Sequence, residues 1–298
     1  MQRFHGAYTA LITPFMGEDG GQVDEQAFID LVNFQIGQGI HGLVPVGTTG
    51  ETATLSFDEH KRVVDLAVAT AAGRVPVIAG TGANSTTEAI EFSESAKKSG
   101  ADASLSVVPY YNKPSQEGIY QHFRKIAERV DIPMFLYNVP GRTVADVLPE
   151  TVARLAQIDN IIGIKEATGN LARISDIIRL CPKDFIVLSG DDFTALPSVY
   201  MGGKGVISVV SNIVPGQTAQ LMQAALDGDL KRANELHYRL YPLMKCMFDY
   251  PSPAPVKMGV RLRGVIKNDL PRLPMDRLTE SNPTYGKLTK AMKELGIL

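Results

Sequence analysis

Tryptophan is absent from this chain of 298 residues, and cysteine occurs only twice, as Cys181 and Cys246. No pairing motif surrounds either cysteine, which favours a reducing compartment over a disulfide-stapled secreted protein. The five histidines are scattered and build no ligand motif with the cysteines, so we expect no metal site.

A strong excess of one charge is also missing, because 30 basic side chains and 32 acidic ones leave a formal net charge of −2. We therefore expect neither nucleic acid nor an anionic membrane as a partner. The apolar runs are only as long as strands, and the N-terminus lacks the apolar segment of a signal peptide. These features predict a cytoplasmic protein.

The chain does contain a series of short apolar runs with helical stretches between them. Parallel strands need crossover connections of the length seen here, so the spacing is typical of repeated strand–helix units. Eight units favour a closed (β/α)₈ TIM barrel of the α/β class, although a doubly wound open sheet shares the local pattern. The runs are Ala7–Ile12, Gly42–Val46, Pro76–Ala79, Ala103–Val108, Pro133–Tyr137, Ile161–Ile164, Phe185–Leu188 and Gly205–Val209.

Capping signals begin several of the predicted helices. Ser56 and Ser85 are each followed three residues later by a glutamate, so both predict a capping box. Beyond the eighth run the sequence predicts helices without strands. We therefore expect the barrel over residues 1–225 and a C-terminal helical domain over residues 226–298.

The sixth run continues directly into Lys165. Alternation along a strand places Lys165 on the same face as Gly163 and Ile161, and the small Gly163 would leave room for a ligand. The C-terminal ends of barrel strands form the catalytic face, where partial burial favours a neutral amine that attacks a carbonyl to form a Schiff base. The pattern also fits a lysine that reaches solvent or pairs with Glu166.

The fifth run ends at Tyr137, one strand away from the lysine. Neighbouring strands lie about 4.8 Å apart, so the phenol could act as a general acid–base group beside a Schiff base. A tyrosine that merely caps the core fits equally well. Arg142 follows in the next loop, where a guanidinium suits either a substrate carboxylate or a surface ion pair.

The second run leads into GTTG at residues 47–50, with Thr48 and Thr49 at its centre. Closely spaced backbone N–H groups and two hydroxyls suit a carboxylate better than a polyphosphate, because the loop contains no lysine. Tyr110 and Tyr111 follow the fourth run and cannot point the same way in an extended chain. One of the two could reach the site or a partner subunit.

Six motifs carry a resemblance to a known family: GTTGE, YYNKPSQEG, YNVPGR, GIKEATGN, LSGDD and GVISV, in this order. Together they closely resemble the dihydrodipicolinate synthase family, within the pyruvate-aldolase superfamily that includes N-acetylneuraminate lyase. The resemblance runs from about residue 6 to the last predicted helix. Within the superfamily, the resemblance is closest to the synthases because of the paired threonines, Tyr111 and Arg142.

The resemblance implies that Lys165 forms a Schiff base with pyruvate. Thr48 and Thr49 would hold the pyruvate carboxylate. Tyr137, linked through Thr48 to the partner subunit's Tyr111, would move protons as the imine becomes an enamine. These roles require at least a dimer, and the family is usually a homotetramer built as a dimer of dimers.

The second substrate implied by the resemblance is L-aspartate 4-semialdehyde, whose carboxylate Arg142 would receive. The product would be 4-hydroxy-tetrahydrodipicolinate, at the first committed step of lysine and diaminopimelate biosynthesis. Gly190 and Ile207 match positions that line the pyruvate pocket. No organic cofactor is implied.

L-lysine is implied as a feedback inhibitor that binds a cleft at the dimer interface. Phe57 departs from the family pattern in this cleft, because lysine-sensitive members often carry histidine there. In the C-terminal region, away from the cleft, Ser252 stands where asparagine is frequent in the family. The residues that match the cleft are Thr52, Ala53, His60, Asn84, Glu88 and Tyr110.

Two other functions share parts of the pattern. A retro-aldol lyase of sialic acid or a keto-deoxy sugar acid would use the same lysine. The aldehyde that the enzyme accepts therefore distinguishes such a lyase from a synthase. A barrel that binds a keto or amino acid and signals without turnover would not need the proton-relay residues.

Overall fold

The computed structural model describes residues 2–17 and 20–298. A β-strand overlaps each predicted run, with bounds that differ from those of the run by up to two residues at either end. The strands are β1 (Gly6–Ala10), β2 (Gly42–Val44), β3 (Ile78–Gly80), β4 (Ala103–Val107), β5 (Met134–Asn138), β6 (Ile161–Glu166), β7 (Ile186–Ser189) and β8 (Gly205–Ser208).

All eight strands are parallel and form one sheet in the order β2-β1-β8-β7-β6-β5-β4-β3. At the remaining seam, an isolated parallel bridge joins Leu43 of β2 to Val77, the residue before β3. The amide N–H of Gly80 also donates to the Pro45 carbonyl across that seam, at 3.1 Å. The sheet is therefore a nearly closed barrel, which confirms the predicted fold class and excludes the open doubly wound sheet.

Helices follow every strand and cover the outside of the barrel. They are α1 (Glu25–Gly37), α2 (Phe57–Ala71), α3 (Thr86–Ser99), α4 (Gln116–Arg129), α5 (Pro140–Thr143), α6 (Pro149–Leu155), α7 (Leu171–Leu180), α8 (Ala195–Tyr200) and α9 (Pro215–Leu226). Three helices complete the chain: α10 (Leu230–Cys246), α11 (Ala254–Leu262) and α12 (Pro283–Glu294).

The capping predictions hold for one helix and fail in part for another. At α2, Ser56 accepts from the Glu59 N–H and Glu59 accepts from the Ser56 N–H, which is the predicted box. At α3, Ser85 caps the Glu88 N–H, but no return bond from Glu88 is present in the described part of the chain. The Glu88 side chain instead lines a cavity, described below.

The C-terminal helices pack against the barrel through α9 and α10. One hydrophobic cluster contains residues from both sides of the predicted domain boundary, including Met222 and Leu236. The division into domains at residues 225 and 226 stays a prediction. Among the helices of the described residues, none combines the length and apolar character that crossing a bilayer requires.

Candidate active site

Lys165 and Tyr137 lie side by side at the carboxyl ends of β6 and β5. Their Cα atoms are direct partners in the parallel register, and the lysine Nζ lies 4.3 Å from the centre of the tyrosine ring. Each residue is only 7% exposed. The lysine therefore does not reach out to bulk solvent, which removes the simplest alternative for its position.

Glu166, the other alternative partner of the lysine, points away from it. Its carboxylate is fully buried and pairs with Arg173 at 3.0 Å, on the outer face of β6. No ion pair joins Lys165 to Glu166 in the described part of the chain. The lysine amine is thus left facing the barrel mouth with the phenol ring beside it.

A β-bulge corrects the predicted faces at the start of β6. Met134 pairs with Ile161, but Phe135 pairs with Gly163, so β6 carries one extra residue here. Ile161 consequently packs outward under the helices, while Ile162 packs toward the barrel interior. Alternation correctly places Lys165 inside, because the bulge lies upstream of it.

Gly163 does not leave room for a ligand, contrary to the prediction. A Cβ at Gly163 would lie 2.6 Å from a ring atom of Phe135 and 2.4 Å from the Ile186 carbonyl oxygen. The space that its missing side chain leaves is filled by the phenylalanine ring. Gly163 therefore supports packing of the barrel interior below the site.

Gly190 provides the room beside the lysine instead. A Cβ at Gly190 would lie 2.9 Å from Lys165 Cε and 2.6 Å from the Ala167 Cβ. The lysine stem and the Ala167 side chain thus occupy the space that a side chain at Gly190 would need. This geometry supplies a physical reason for a residue that the sequence indicated only through the family resemblance.

A cavity of about 540 Å³ opens above the lysine at the barrel mouth. Six of the predicted site residues line it: Thr48, Thr49, Tyr137, Arg142, Lys165 and Gly190. Other residues line the cavity without having been predicted from the sequence, among them Thr168, Phe248 and Ser252. Phe248 and Ser252 come from the C-terminal helical region, which has no strand pattern to place it over the barrel mouth.

The loop after β2 presents hydrogen-bond donors to this cavity. Its turn is closed by the Gly50 N–H, which donates to the Gly47 carbonyl at 3.0 Å. Within the described part of the chain, neither the amide N–H nor the hydroxyl of Thr48 and Thr49 makes a hydrogen bond. Free donors at this spacing are compatible with a carboxylate, and the binding of one by this loop stays a prediction.

A buried ion pair anchors the end of that loop. Glu51 contacts the Lys257 ammonium at 2.5 Å and accepts from the Arg272 N–H at 2.8 Å. The lysine side chain is fully buried, and burial lowers its pKa to about 8 although Glu51 opposes the shift. Breaking such a pair leaves an uncompensated charge in the interior, so α11 holds the Thr48–Thr49 loop firmly.

Two predicted site residues lie outside the cavity lining. Ile207 is buried in the barrel interior, in the same apolar cluster as Tyr137. Tyr111 is 89% exposed, and its backbone has a φ of 70°. The site formed within one chain therefore lacks the predicted contribution of this tyrosine.

A second cavity of about 420 Å³ adjoins the first, because Thr48, Val139 and Arg142 line both. Of the six residues predicted for lysine binding, four line this second cavity: Thr52, Ala53, Glu88 and Tyr110. Phe57 also lines it and stacks on Phe92 with ring centres 4.8 Å apart.

His60 and Asn84 lie beside the second cavity rather than in its lining. The His60 ring stacks on Phe92 at 3.9 Å, and its two nitrogens contact the Thr52 hydroxyl and the Gly80 carbonyl. Burial lowers the pKa of His60 to about 4. Asn84 accepts a hydrogen bond from Asn112 through its backbone carbonyl, at 3.0 Å.

The described residues include no group of three or more His, Cys, Asp or Glu side chains placed to hold a metal ion. Asp191, at the cavity edge, accepts from the Thr194 hydroxyl and thus caps the turn before α8. Asp192 is buried, which raises its pKa, and it accepts from the Val209 and Val210 N–H groups at the end of β8. Both aspartates support backbone next to the site.

These features are typical of a lysine-dependent, Schiff-base-forming lyase on a (β/α)₈ barrel. The lysine is buried at a strand end, a tyrosine ring lies beside its amine, and free hydrogen-bond donors face the same cavity. The chain belongs to the dihydrodipicolinate synthetase family, whose model matches residues 3–295.

Known proteins support this assignment over the whole chain. A 4-hydroxy-tetrahydrodipicolinate synthase of Desulfotalea psychrophila is 65% identical and covers 100% of this chain and 99% of its own length. The dihydrodipicolinate synthase of Acinetobacter baumannii complexed with pyruvate has a TM-score of 0.94, with 43% identity and 99% of each chain covered. The corresponding synthase of Cyanidioschyzon merolae with lysine bound has a TM-score of 0.95, with 39% identity and 99% of each chain covered.

Proposed function

We propose that the chain is a 4-hydroxy-tetrahydrodipicolinate synthase that condenses pyruvate with L-aspartate 4-semialdehyde. The observation that carries the proposal is the buried Lys165 amine, 4.3 Å from the Tyr137 ring centre. It lies under a cavity lined by N–H and O–H groups that can donate hydrogen bonds to a carboxylate. The enzyme is a Schiff-base-forming lyase at the first committed step of lysine and diaminopimelate biosynthesis. The reaction needs two carboxylate sites, for which we propose Thr48 with Thr49 and, separately, Arg142, all in the lining of the cavity.

The reaction begins at the pyruvate carbonyl. The Lys165 amine attacks carbon 2 and water leaves, so that a C=N bond replaces the C=O bond. Thr48 and Thr49 hold the pyruvate carboxylate through their free N–H and hydroxyl groups. Loss of a proton from the methyl carbon then gives the enamine, with the Tyr137 phenol as the general acid–base group.

The second half of the reaction joins the two substrates. The enamine carbon attacks the aldehyde carbon of L-aspartate 4-semialdehyde, and the aldehyde oxygen gains a proton. The amino group of this substrate then attacks the imine carbon, which closes the ring and releases Lys165. Arg142 receives the carboxylate of the aldehyde substrate, because a guanidinium binds a carboxylate bidentately.

Acceptor preference tests this proposal against a sugar-acid lyase. The purified enzyme, given pyruvate and either aspartate semialdehyde or an aldose such as N-acetylmannosamine, should consume the semialdehyde far faster. A faster reaction with the sugar would assign the chain to the lyases instead. Binding of pyruvate or lysine without turnover of any aldehyde would favour a signalling barrel.

The quaternary structure that we propose is a dimer of dimers, in which each site receives the partner's Tyr111. The support is that Tyr111 is exposed and absent from its own cavity lining. Mixing Tyr111→Phe and Lys165→Arg subunits in equal amounts tests the idea. Subunit exchange should then build one complete site in each mixed dimer and recover about a quarter of wild-type activity. Activity no higher than the sum of the separate variants would refute a shared site.

The cytoplasm is the compartment that we propose, because both cysteines are free and would stay reduced there. Catalysis by this set of residues uses no organic cofactor.

L-lysine is the proposed feedback inhibitor, bound in the second cavity. Glu88 would pair with an ammonium group, and the shared residues Thr48 and Arg142 offer a direct connection to the active site. Phe57 replaces a polar group with an apolar ring stacked on Phe92, which weakens the site for a charged side chain. Activity assays from micromolar to millimolar lysine test the inhibition, with Glu88→Ala expected to abolish it. Unchanged wild-type activity throughout that range would contradict it.

A further inference from the structure

A buried polar network lies on the outer face of β6, directly behind the reactive lysine. Because side chains alternate along a strand, Glu166 projects to the face opposite Lys165. Its buried carboxylate accepts three hydrogen bonds: from Arg173 Nε at 3.0 Å, from Asn138 Nδ2 at 3.1 Å and from the Thr168 N–H at 2.8 Å. The carboxylate is thus fully used for structural contacts.

Arg173 extends this network to the segment that carries Arg142, namely residues 139–147. Its guanidinium pairs with Asp146 at 3.0 Å and donates to the Val147 carbonyl. Asn138 donates to Asp146 at 2.9 Å and accepts from the Val147 N–H at 3.2 Å. The far end of the segment is therefore fastened to side chains that are themselves fixed on Glu166.

The backbone of this segment adopts a conformation that it would not hold alone. Val144, a β-branched residue, has a φ of 63° and is 64% exposed, so its own packing does not stabilise the strained geometry. Such strained backbone conformations persist where contacts with the surrounding structure hold them in place. Within the segment, the Thr143 hydroxyl bonds the Ala145 carbonyl at 2.7 Å, and Arg173 and Asn138 supply the contacts from outside.

We propose that Arg173 is a positioning residue for the aldehyde substrate, because it holds the 139–147 segment in the shape that aims Arg142 into the cavity. Arg173 does not line that cavity, whereas Arg142 does. The proposal rests on the function proposed above. Pyruvate binding has separate supports, since Thr48 and Thr49 are held through Glu51 and Lys257.

Steady-state kinetics with Arg173→Met test the role. Misplacing a binding group by about 1 Å costs up to about 100-fold, so we expect the KM for aspartate semialdehyde to rise by about ten-fold or more. The KM for pyruvate and the rate of borohydride trapping with pyruvate should stay within about two-fold. Arg142→Met should show the same pattern, because both variants act on the same carboxylate contact.

Two further variants keep the test decisive. Asp146→Asn removes the negative charge and one of the two acceptor oxygens that face Arg173, at a partly exposed position. It should therefore fold even if Arg173→Met does not, and should raise the aldehyde KM several-fold. Arg154→Met is the matched control, because this arginine lies on α6 and pairs with Glu117 of α4 at the protein surface. Its KM values for both substrates should remain those of the wild type.

Two results would overturn the proposal. The first is an unchanged aldehyde KM in both Arg173→Met and Asp146→Asn. The second is an equal loss in pyruvate KM and trapping rate, which would mean that the network supports the Lys165 strand instead. A wild-type enzyme that traps pyruvate but consumes no semialdehyde would refute the proposed function, and this role with it.

Discussion

Substitution of Gly190 by alanine is the perturbation whose consequence follows most directly from the geometry. The new Cβ would lie 2.6 Å from the Ala167 Cβ, 2.9 Å from Lys165 Cε and 3.1 Å from Lys165 Cγ. Ordinary carbon–carbon contacts lie at about 3.5–4.0 Å, so the lysine stem has to give way by several tenths of an ångström or more. The stem moves more easily than the Ala167 Cβ, which is fixed to the backbone.

The cost of this displacement divides between activity and stability. A shift of the amine approaching 1 Å costs up to about 100-fold in rate, so we expect kcat to fall by about 10- to 100-fold. Overpacking at a tight contact destabilises by about 1–3 kcal/mol, which a domain with a usual stability of about 5–15 kcal/mol survives. The variant should therefore be folded and slow.

Two assays separate these effects. The rate of borohydride trapping with saturating pyruvate measures formation of the Schiff base, and thermal unfolding by circular dichroism measures the fold. Gly286→Ala is the control, because a Cβ there meets no atom within 4 Å and the residue lies in α12. A Gly190→Ala enzyme with normal fold and a kcat within two-fold of wild type would refute the packing argument.

Three further predictions address other parts of the site and the fold. Lys257→Met leaves the Glu51 carboxylate buried without its partner and should lower the free energy of unfolding, measured in urea, by about 3–5 kcal/mol. The double variant with Glu51→Gln should recover part of that loss. No recovery would contradict the ion-pair account. Burial lowers the pKa of His122 from 6.5 to about 4, so between these values the unfolded chain binds one more proton and stability falls as the pH falls. His122→Gln should make that decline shallower by about 1.4 kcal/mol per pH unit, and an unchanged slope in urea titrations would refute the assignment. Tyr137→Phe should lower kcat by about 10²- to 10⁴-fold while the fold is retained, and a loss below ten-fold would exclude the phenol as the acid–base group.

The barrel could be predicted from the sequence because each strand is a local apolar run and the connections are short. The pairing of Tyr137 with Lys165 also followed from local rules, since consecutive parallel strands in a barrel are neighbours. The bulge at Ile161 could not be predicted, because it depends on how β5 and β6 meet rather than on the sequence of either. For the same reason the prediction of ligand space at Gly163 is wrong, because the Phe135 ring from β5 fills that space.

The residues that the sequence analysis missed reach the site through long-range contacts. Phe248 and Ser252 lie more than eighty residues after Lys165, in a helical region with no strand pattern to place it. In the sequence Arg173 has no feature that sets it apart from other helix residues, and only the fold places it over the buried Glu166. One signal was available: a glutamate within an apolar barrel strand needs a buried partner.

Borohydride trapping at Lys165 tests the central claim most directly. The wild-type protein is incubated with pyruvate, reduced with borohydride, digested and analysed by mass spectrometry, with Lys165→Arg and a sample without pyruvate as controls. A reduced pyruvyl adduct on the peptide that contains Lys165, and on no other lysine, is the predicted result. An unmodified Lys165, under conditions that label a known pyruvate aldolase, would contradict the account.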